Sequence, residues 1–270
     1  MDEGLKLTTR NVALVAIFAA LYYVISLITP FIPAIGVPEI TISLEALIAS
    51  VFGLVLGPYL GTLTAFLGAF VAWTLPPGGM SPFGLPFLLS PPLNALVTGL
   101  IFYRKWKFGF AAFGVLIIAF LFTPPVQPLT ENWFVAVAVL FDKVIALFLI
   151  LPVVIFAKKL SVGKASLFYF LLFFIGNQAD NMWGSFAFAL PVVYQGIFGL
   201  PLEGVGGVRF LFTLSPFAYP AIRLVQAFIA MLIAVPLMRT LSGTPWLWKE
   251  ETILSPKQKA ANANQSRHEG

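Results

Sequence analysis

The chain has 270 residues, 59% of them hydrophobic and 10% charged, with a formal net charge of +5, one histidine and no cysteine. A soluble domain carries about 25% charged residues, so this composition excludes a water-solvated globule and calls for lipid as the surrounding solvent. Without cysteine there are no disulfides, thiolate metal sites or thiol nucleophiles, and the single histidine, His268, lies in a polar tail, so no metal site, imidazole base or cofactor is expected.

Membrane helices are predicted, in chain order, near residues 12–29, 44–57, 59–75, 83–103, 108–126, 134–157, 167–190 and 216–238. A spanning helix needs about 20 apolar residues, and the second run is short by that measure. The first run is read as a membrane helix and not a cleaved signal, because no clear small-residue cleavage site ends it. The second runs into Gly57-Pro58, a helix-breaking pair, which predicts that the second and third spans form a helical hairpin. Lys6 and Arg10 precede the first span; Arg104, Lys105 and Lys107 follow the fourth; Lys158, Lys159 and Lys164 follow the sixth; Arg239 and Lys249 follow the eighth. The opposite loops hold Glu39, Glu131 and Glu203, with Arg209 the one basic exception. The positive-inside rule then places both termini in the cytoplasm, and it accounts for the positive net charge with no nucleic-acid partner. The expected fold is an all-α integral membrane protein of the cell membrane. It is a compact bundle of about 6–8 transmembrane helices over residues 1–246, with a polar cytoplasmic tail at 247–270 whose end is disordered.

Residues 7–21 read LTTRNVALVAIFAAL, and residues 40–70 read ITISLEALIASVFGLVLGPYLGTLTAFLGAF. A basic residue leads into a first helix with an Ala-x-x-x-Ala pair, here Ala16 and Ala20. A short second helix ends in Gly57-Pro58, and a third is rich in small residues. This succession, over roughly residues 8–103, resembles the substrate-binding S-component of energy-coupling factor (ECF) vitamin transporters. The resemblance implies a subunit that captures a small molecule and is driven by a coupling membrane protein and paired ATPases, with Ala13, Ala16 and Ala20 docking the coupling protein. Small residues four apart make a smooth face for close helix approach; packing within the chain is the other reading of that spacing. The family typically has six helices against the eight runs counted here, so no binding residue is carried over to the second half.

Ionisable groups in hydrocarbon cost at least about 2.5–3.5 kcal/mol each, so those inside the spans mark a partner or a binding chamber. Glu45, Asp142, Lys143, Asp180 and Arg223 fall there, all in the outer half of the bilayer at a rise of about 1.5 Å per residue. The densest cluster is GNQADNMWGS at 176–185, where Asn177, Asp180, Asn181 and Gly184 share one helical face. Gln178 and Ser185 lie beside it, and Trp183 offers an apolar wall. Amides and a carboxylate supply donors and acceptors, and a ring supplies a stacking surface, which suits a small polar heterocycle. A self-satisfied polar seam between helices is the alternative. Arg223, with Gln226 one turn deeper, either pairs with Asp142 or meets the solute, whereas the adjacent Asp142 and Lys143 do not face each other on a helix. Asn94, after Pro91-Pro92, either lines the chamber or satisfies carbonyls freed by the prolines. Trp73, Trp133 and Tyr219 read as an interfacial aromatic belt.

No phosphate-binding loop, metalloprotease constellation or activated-serine motif occurs, so the chain is not expected to be an enzyme. Three functions compete. One is a substrate-capture subunit of an ATP-driven vitamin or micronutrient importer that binds its solute from outside. Another is a self-sufficient secondary transporter in which Asp180, Asp142 or Glu45 takes a proton or sodium. The third is a membrane scaffold with no transport role.

Overall fold

The computed structural model describes residues 8–28, 32–34, 37–42, 46–157, 165–199, 205–241, 244 and 246–247. Its long helices are α1 (Thr9–Ile28), α2 (Ala46–Thr74), α3 (Ser90–Phe102), α4 (Trp106–Leu121), α5 (Leu129–Ala157), α6 (Ala165–Phe188) and α9 (Ser215–Leu241), with short α7 (Pro191–Tyr194) and α8 (Val205–Thr213) between the last two. Among the described residues five stretches are long and apolar enough to cross a bilayer: Thr9–Ile28, Leu47–Thr74, Leu85–Phe102, Leu129–Ala157 and Ser215–Leu241. The chain is a helical, multi-pass membrane protein. Three of the eight predicted spans do not qualify separately, each for a physical reason. The second and third share α2, α4 is an apolar helix of only 16 residues, and the polar half of α6 dilutes its hydropathy. Nearly all of the polar tail from residue 247, with Lys6, Lys158, Lys159, Lys164, Glu203 and Lys249, lies outside the described residues.

One element departs from the all-α expectation. β1 (Ile32–Ala34) and β2 (Val37–Ile42) pair antiparallel, with Ile32 opposite Ile42. The segment IPAIGVPEITI is dense in β-branched residues, which favour strand, and its two prolines disfavour helix.

α2 is broken at Gly57, whose φ of 81° and ψ of 173° no helix contains. That positive φ is cheap for glycine and strained for other residues, and the following Pro58 cannot donate to the ladder. Residues eight apart in a straight helix are about 12 Å apart. Here a Cβ on Gly61 would lie 2.6 Å from the Phe52 carbonyl oxygen and 2.8 Å from Gly53 Cα. The limbs 46–56 and 58–74 therefore fold back on each other, the hairpin that Gly57-Pro58 predicts. α3 packs into the hairpin at backbone distance, since a Cβ on Gly99 would lie 2.6 Å from Pro58 Cα and 3.0 Å from the Gly53 carbonyl oxygen.

Polar contacts sort the helix ends. At one end Tyr23 donates to the Pro76 carbonyl (3.0 Å) and Trp183 to that of Pro86 (2.9 Å). At the other, Tyr103 donates to the Leu54 carbonyl (2.8 Å), and the Lys105 ammonium lies 5.1 Å over the Tyr59 ring. These contacts gather the later parts of α1 and α6 with the turn after α2 and the turn before α3 at one end, and the end of α3 with the Gly57 break at the other. Arg209, the basic exception, has a structural use. Its Nε donates to the Pro125 carbonyl at 3.0 Å and its Nη2 to that of Gln127 at 2.7 Å, tying α8 to a turn whose Pro124, Pro125 and Pro128 have no N–H to give. Replacing Arg209 with alanine is expected to lower unfolding stability by about 1–3 kcal/mol, measured by thermal denaturation in detergent. Lysine should restore only part of it, because an ammonium lacks the two-point fork.

Candidate functional site: a buried polar centre

α6 is enclosed by α2, α3, α4, α5 and α9, and every residue from 172 to 182 is buried. Its first half is apolar; its second half carries the predicted polar cluster into the middle of the protein. Two kinds of polar structure meet there.

The first is a seam. Asn94 on α3 accepts hydrogen bonds at Oδ1 from Ser50 Oγ (2.6 Å) and Thr98 Oγ1 (3.2 Å), and donates through Nδ2 to Asn177 Oδ1 (2.9 Å). Asn177 Nδ2 donates in turn to the Arg223 carbonyl at 3.4 Å. The chain of bonds stitches α2, α3, α6 and α9 together. Gly176 makes room for it, since a Cβ there would overlap Thr98 Oγ1 and Asn94 Oδ1. For Asn94 and Asn177 these bonds are those of a seam between helices. Ser50, Thr98 and Gly176 were not legible as partners. Thr98 alone had a signal, standing one helical turn after Asn94.

The second is a set of charges. Asp142, Lys143, Asp180 and Arg223 are the buried charged side chains among the described residues. Arg223 Nη2 lies 3.1 Å from Asp180 Oδ1, and its Nη1 donates to Gln226 Oε1 at 2.9 Å. The expected pairing of Arg223 with Asp142 is thus replaced by one with Asp180, because α9 packs far more closely on α6 than on α5. Lys143 Nζ lies 3.0 Å from Asp142 Oδ1, correcting the expectation that these neighbours do not face each other. The four-carbon lysine stem curls back, and an unpaired ammonium in an apolar interior is too costly to leave alone. The two ion pairs thus lie within α5 and between α6 and α9.

The pairing is incomplete. Asp142 Oδ2, Asp180 Oδ2, Arg223 Nε, Asn181 Nδ2 and both polar atoms of Gln178 are buried with no hydrogen-bond partner. Each such atom costs about 1–3 kcal/mol, and native proteins tolerate few of them. Six such atoms across α5, α6 and α9 exceed what a seam built only for packing leaves.

The other predicted residues are placed as follows. Trp183 is half-buried against the 3₁₀ turn Leu85–Phe87 through its bond to Pro86, with its ring 5.9 Å from that of Phe186. Gly184 faces Phe87 and Ser90. Trp73 donates to the Ser81 carbonyl at 2.7 Å and holds the turn after α2, while Trp133 is exposed and Tyr219 half-buried. Ala13, Ala16 and Ala20 are all exposed on α1, whose buried residues are Val15, Ala19, Tyr22 and Ser26. Glu45 lies outside the described residues. An unpredicted aromatic chain crosses the C-terminal end of α6, with ring centroids 5.1 Å apart for Phe83 and Phe198, 5.7 Å for Phe198 and Phe188, 5.9 Å for Phe188 and Phe212, and 5.5 Å for Phe212 and Phe120. With 28 phenylalanines in the chain, composition could not single these five out.

No family model, curated protein or solved structure matches the chain.

Proposed function

We propose that the protein is the substrate-capture subunit of an ATP-driven importer of a vitamin or similar micronutrient, an S-component-like chain in the cell membrane with both termini cytoplasmic. The observation that carries this reading is the set of six unpartnered buried polar atoms on α5, α6 and α9. Polar groups kept in lipid at that cost are explained by a solute that completes their hydrogen bonds. The exposure of Ala13, Ala16 and Ala20 supports docking of a coupling membrane protein on α1, itself powered by paired ATPases.

In liposomes containing the coupling protein and ATPases, Ala16→Trp or Ala20→Trp is expected to cut ATP-dependent uptake at least tenfold while solute binding to the isolated subunit stays intact. Full uptake in both variants would remove the docking assignment. A second reading, an ion-coupled secondary transporter, draws support from the open carboxylate oxygens Asp142 Oδ2 and Asp180 Oδ2. Uptake by the purified protein alone, driven by a sodium or proton gradient with no ATPase, would establish it.

A further inference from the structure

We infer that the captured solute is a neutral molecule presenting a lactam, imide or ureide edge, and that Gln178 reads that edge. The inference rests on the capture reading and adds the chemical class to it.

Charge balance favours a neutral solute. The polar centre holds two carboxylates and two cations, already matched as Asp142 with Lys143 and Asp180 with Arg223. A carboxylate or phosphate solute would need a cation released from one of these pairs, and an ammonium solute would need a carboxylate released. Either would strand a buried charge. A neutral solute leaves both pairs standing.

The open polar groups narrow the class further. Three are acceptors: Asp142 Oδ2, Asp180 Oδ2 and Gln178 Oε1. Three are donors: Gln178 Nε2, Asn181 Nδ2 and Arg223 Nε. Gln178 alone requires both a donor and an acceptor from whatever meets it. Gln178 is the most telling group, fully buried with both ends of its carboxamide open. A primary amide in that state pairs at two points with a cis –NH–C(=O)– edge, donating to its oxygen and accepting from its N–H. Exchanging the amide nitrogen and oxygen does not alter the argument, because both atoms are open. Asn181 lies about one helical turn further along α6 and adds a second donor on the same side.

The test uses the full chain in lipid nanodiscs and three radiolabelled probes in equilibrium dialysis: uracil for the neutral edge, benzoate for an anion and choline for a cation. Uracil is expected to bind at least tenfold tighter than either ion. That binding should fall at least tenfold in Gln178→Met and in Gln178→Glu, with thermal unfolding confirming that both variants fold. Tighter binding of benzoate or choline, lost in Asp180→Asn, would overturn the neutral class and leave solute capture standing. A uracil preference that survives Gln178→Met would overturn the role of Gln178. If none of the three probes binds, the class inference falls, and capture is then decided by the uptake assay above.

Discussion

Asp180→Ala is expected to destabilise the folded protein by about 3–5 kcal/mol, the usual penalty for removing one partner of a buried ion pair. The loss should appear as an earlier thermal unfolding transition in detergent. The cost arises mainly from what is left behind. Arg223 is 6% exposed, its Nη2 lies 3.1 Å from Asp180 Oδ1, and its Nε has no partner. Without the carboxylate, its guanidinium would keep only Gln226 Oε1 as a side-chain acceptor at hydrogen-bond distance, at 2.9 Å. The compensating experiment follows from the same argument. Asp180→Ala combined with Arg223→Met removes both charges, and replacing both members of such a pair with apolar groups is often neutral. The double variant should therefore recover most of the stability while losing solute binding. A single variant that melts with the wild type would show that the two side chains are not paired in the membrane protein.

Gly53→Ala is the second large effect expected, and its cause is steric. A Cβ at Gly53 would overlap the Ala95 carbonyl oxygen and lie 2.9 Å from its carbon and 3.1 Å from its Cα. All three are backbone atoms of α3, so no rotamer change relieves the overlap, and the α2 hairpin must be pried from α3. Overpacking of a close-packed interior costs about 1–3 kcal/mol, occasionally more. Gly53→Ala belongs at the upper end, because Gly61 and Gly99 meet at the same point. Gly184→Ala is the matched control. Its Cβ would lie 3.8 Å from Phe87 Cδ1 and 4.0 Å from Ser90 Oγ, ordinary contact, and alanine is the better helix former by about 1 kcal/mol. Thermal unfolding of the two variants side by side separates tight packing from glycine content. Equal melting of Gly53→Ala and wild type would mean that α2 and α3 do not approach as described.

The seam and the charge centre differ in how they tolerate change. Asn94 and Asn177 are bonded into the helix packing, so their loss acts first on stability. Gln178 has no partner to lose, and replacing an unsatisfied buried amide with an alkyl chain removes a desolvation cost of about 1–3 kcal/mol. Stability and solute binding are thus expected to move in opposite directions at Gln178, as they commonly do at functional sites.

Much of the architecture was legible in the chain itself. The apolar runs lead to α1 at Thr9–Ile28, α5 at Leu129–Ala157 and α9 at Ser215–Leu241, because a bilayer demands a long uninterrupted run and each residue contributes locally to it. The break at Gly57 was written in Gly57-Pro58 for the same local reason. The polar face of α6 was visible because helical periodicity alone decides which side chains share a side. The short hairpin β1–β2 was missed: it falls between the spans predicted at 12–29 and 44–57, in a stretch whose β-branched residues went unweighed.

Which groups meet across helices was decided elsewhere. Periodicity places Arg223, Asp142 and Asp180 each on a helix, but the partner depends on which helix packs closest, and α9 lies against α6. The same holds for Ser50, Thr98 and Gly176 around Asn94 and Asn177, and for the backbone approach of Gly53 to Ala95. Local order along a chain determines helix, break and face. Distances of a few ångströms between segments far apart in sequence are set only when the whole bundle packs, and those distances determine which polar atoms are bonded and which remain unpartnered.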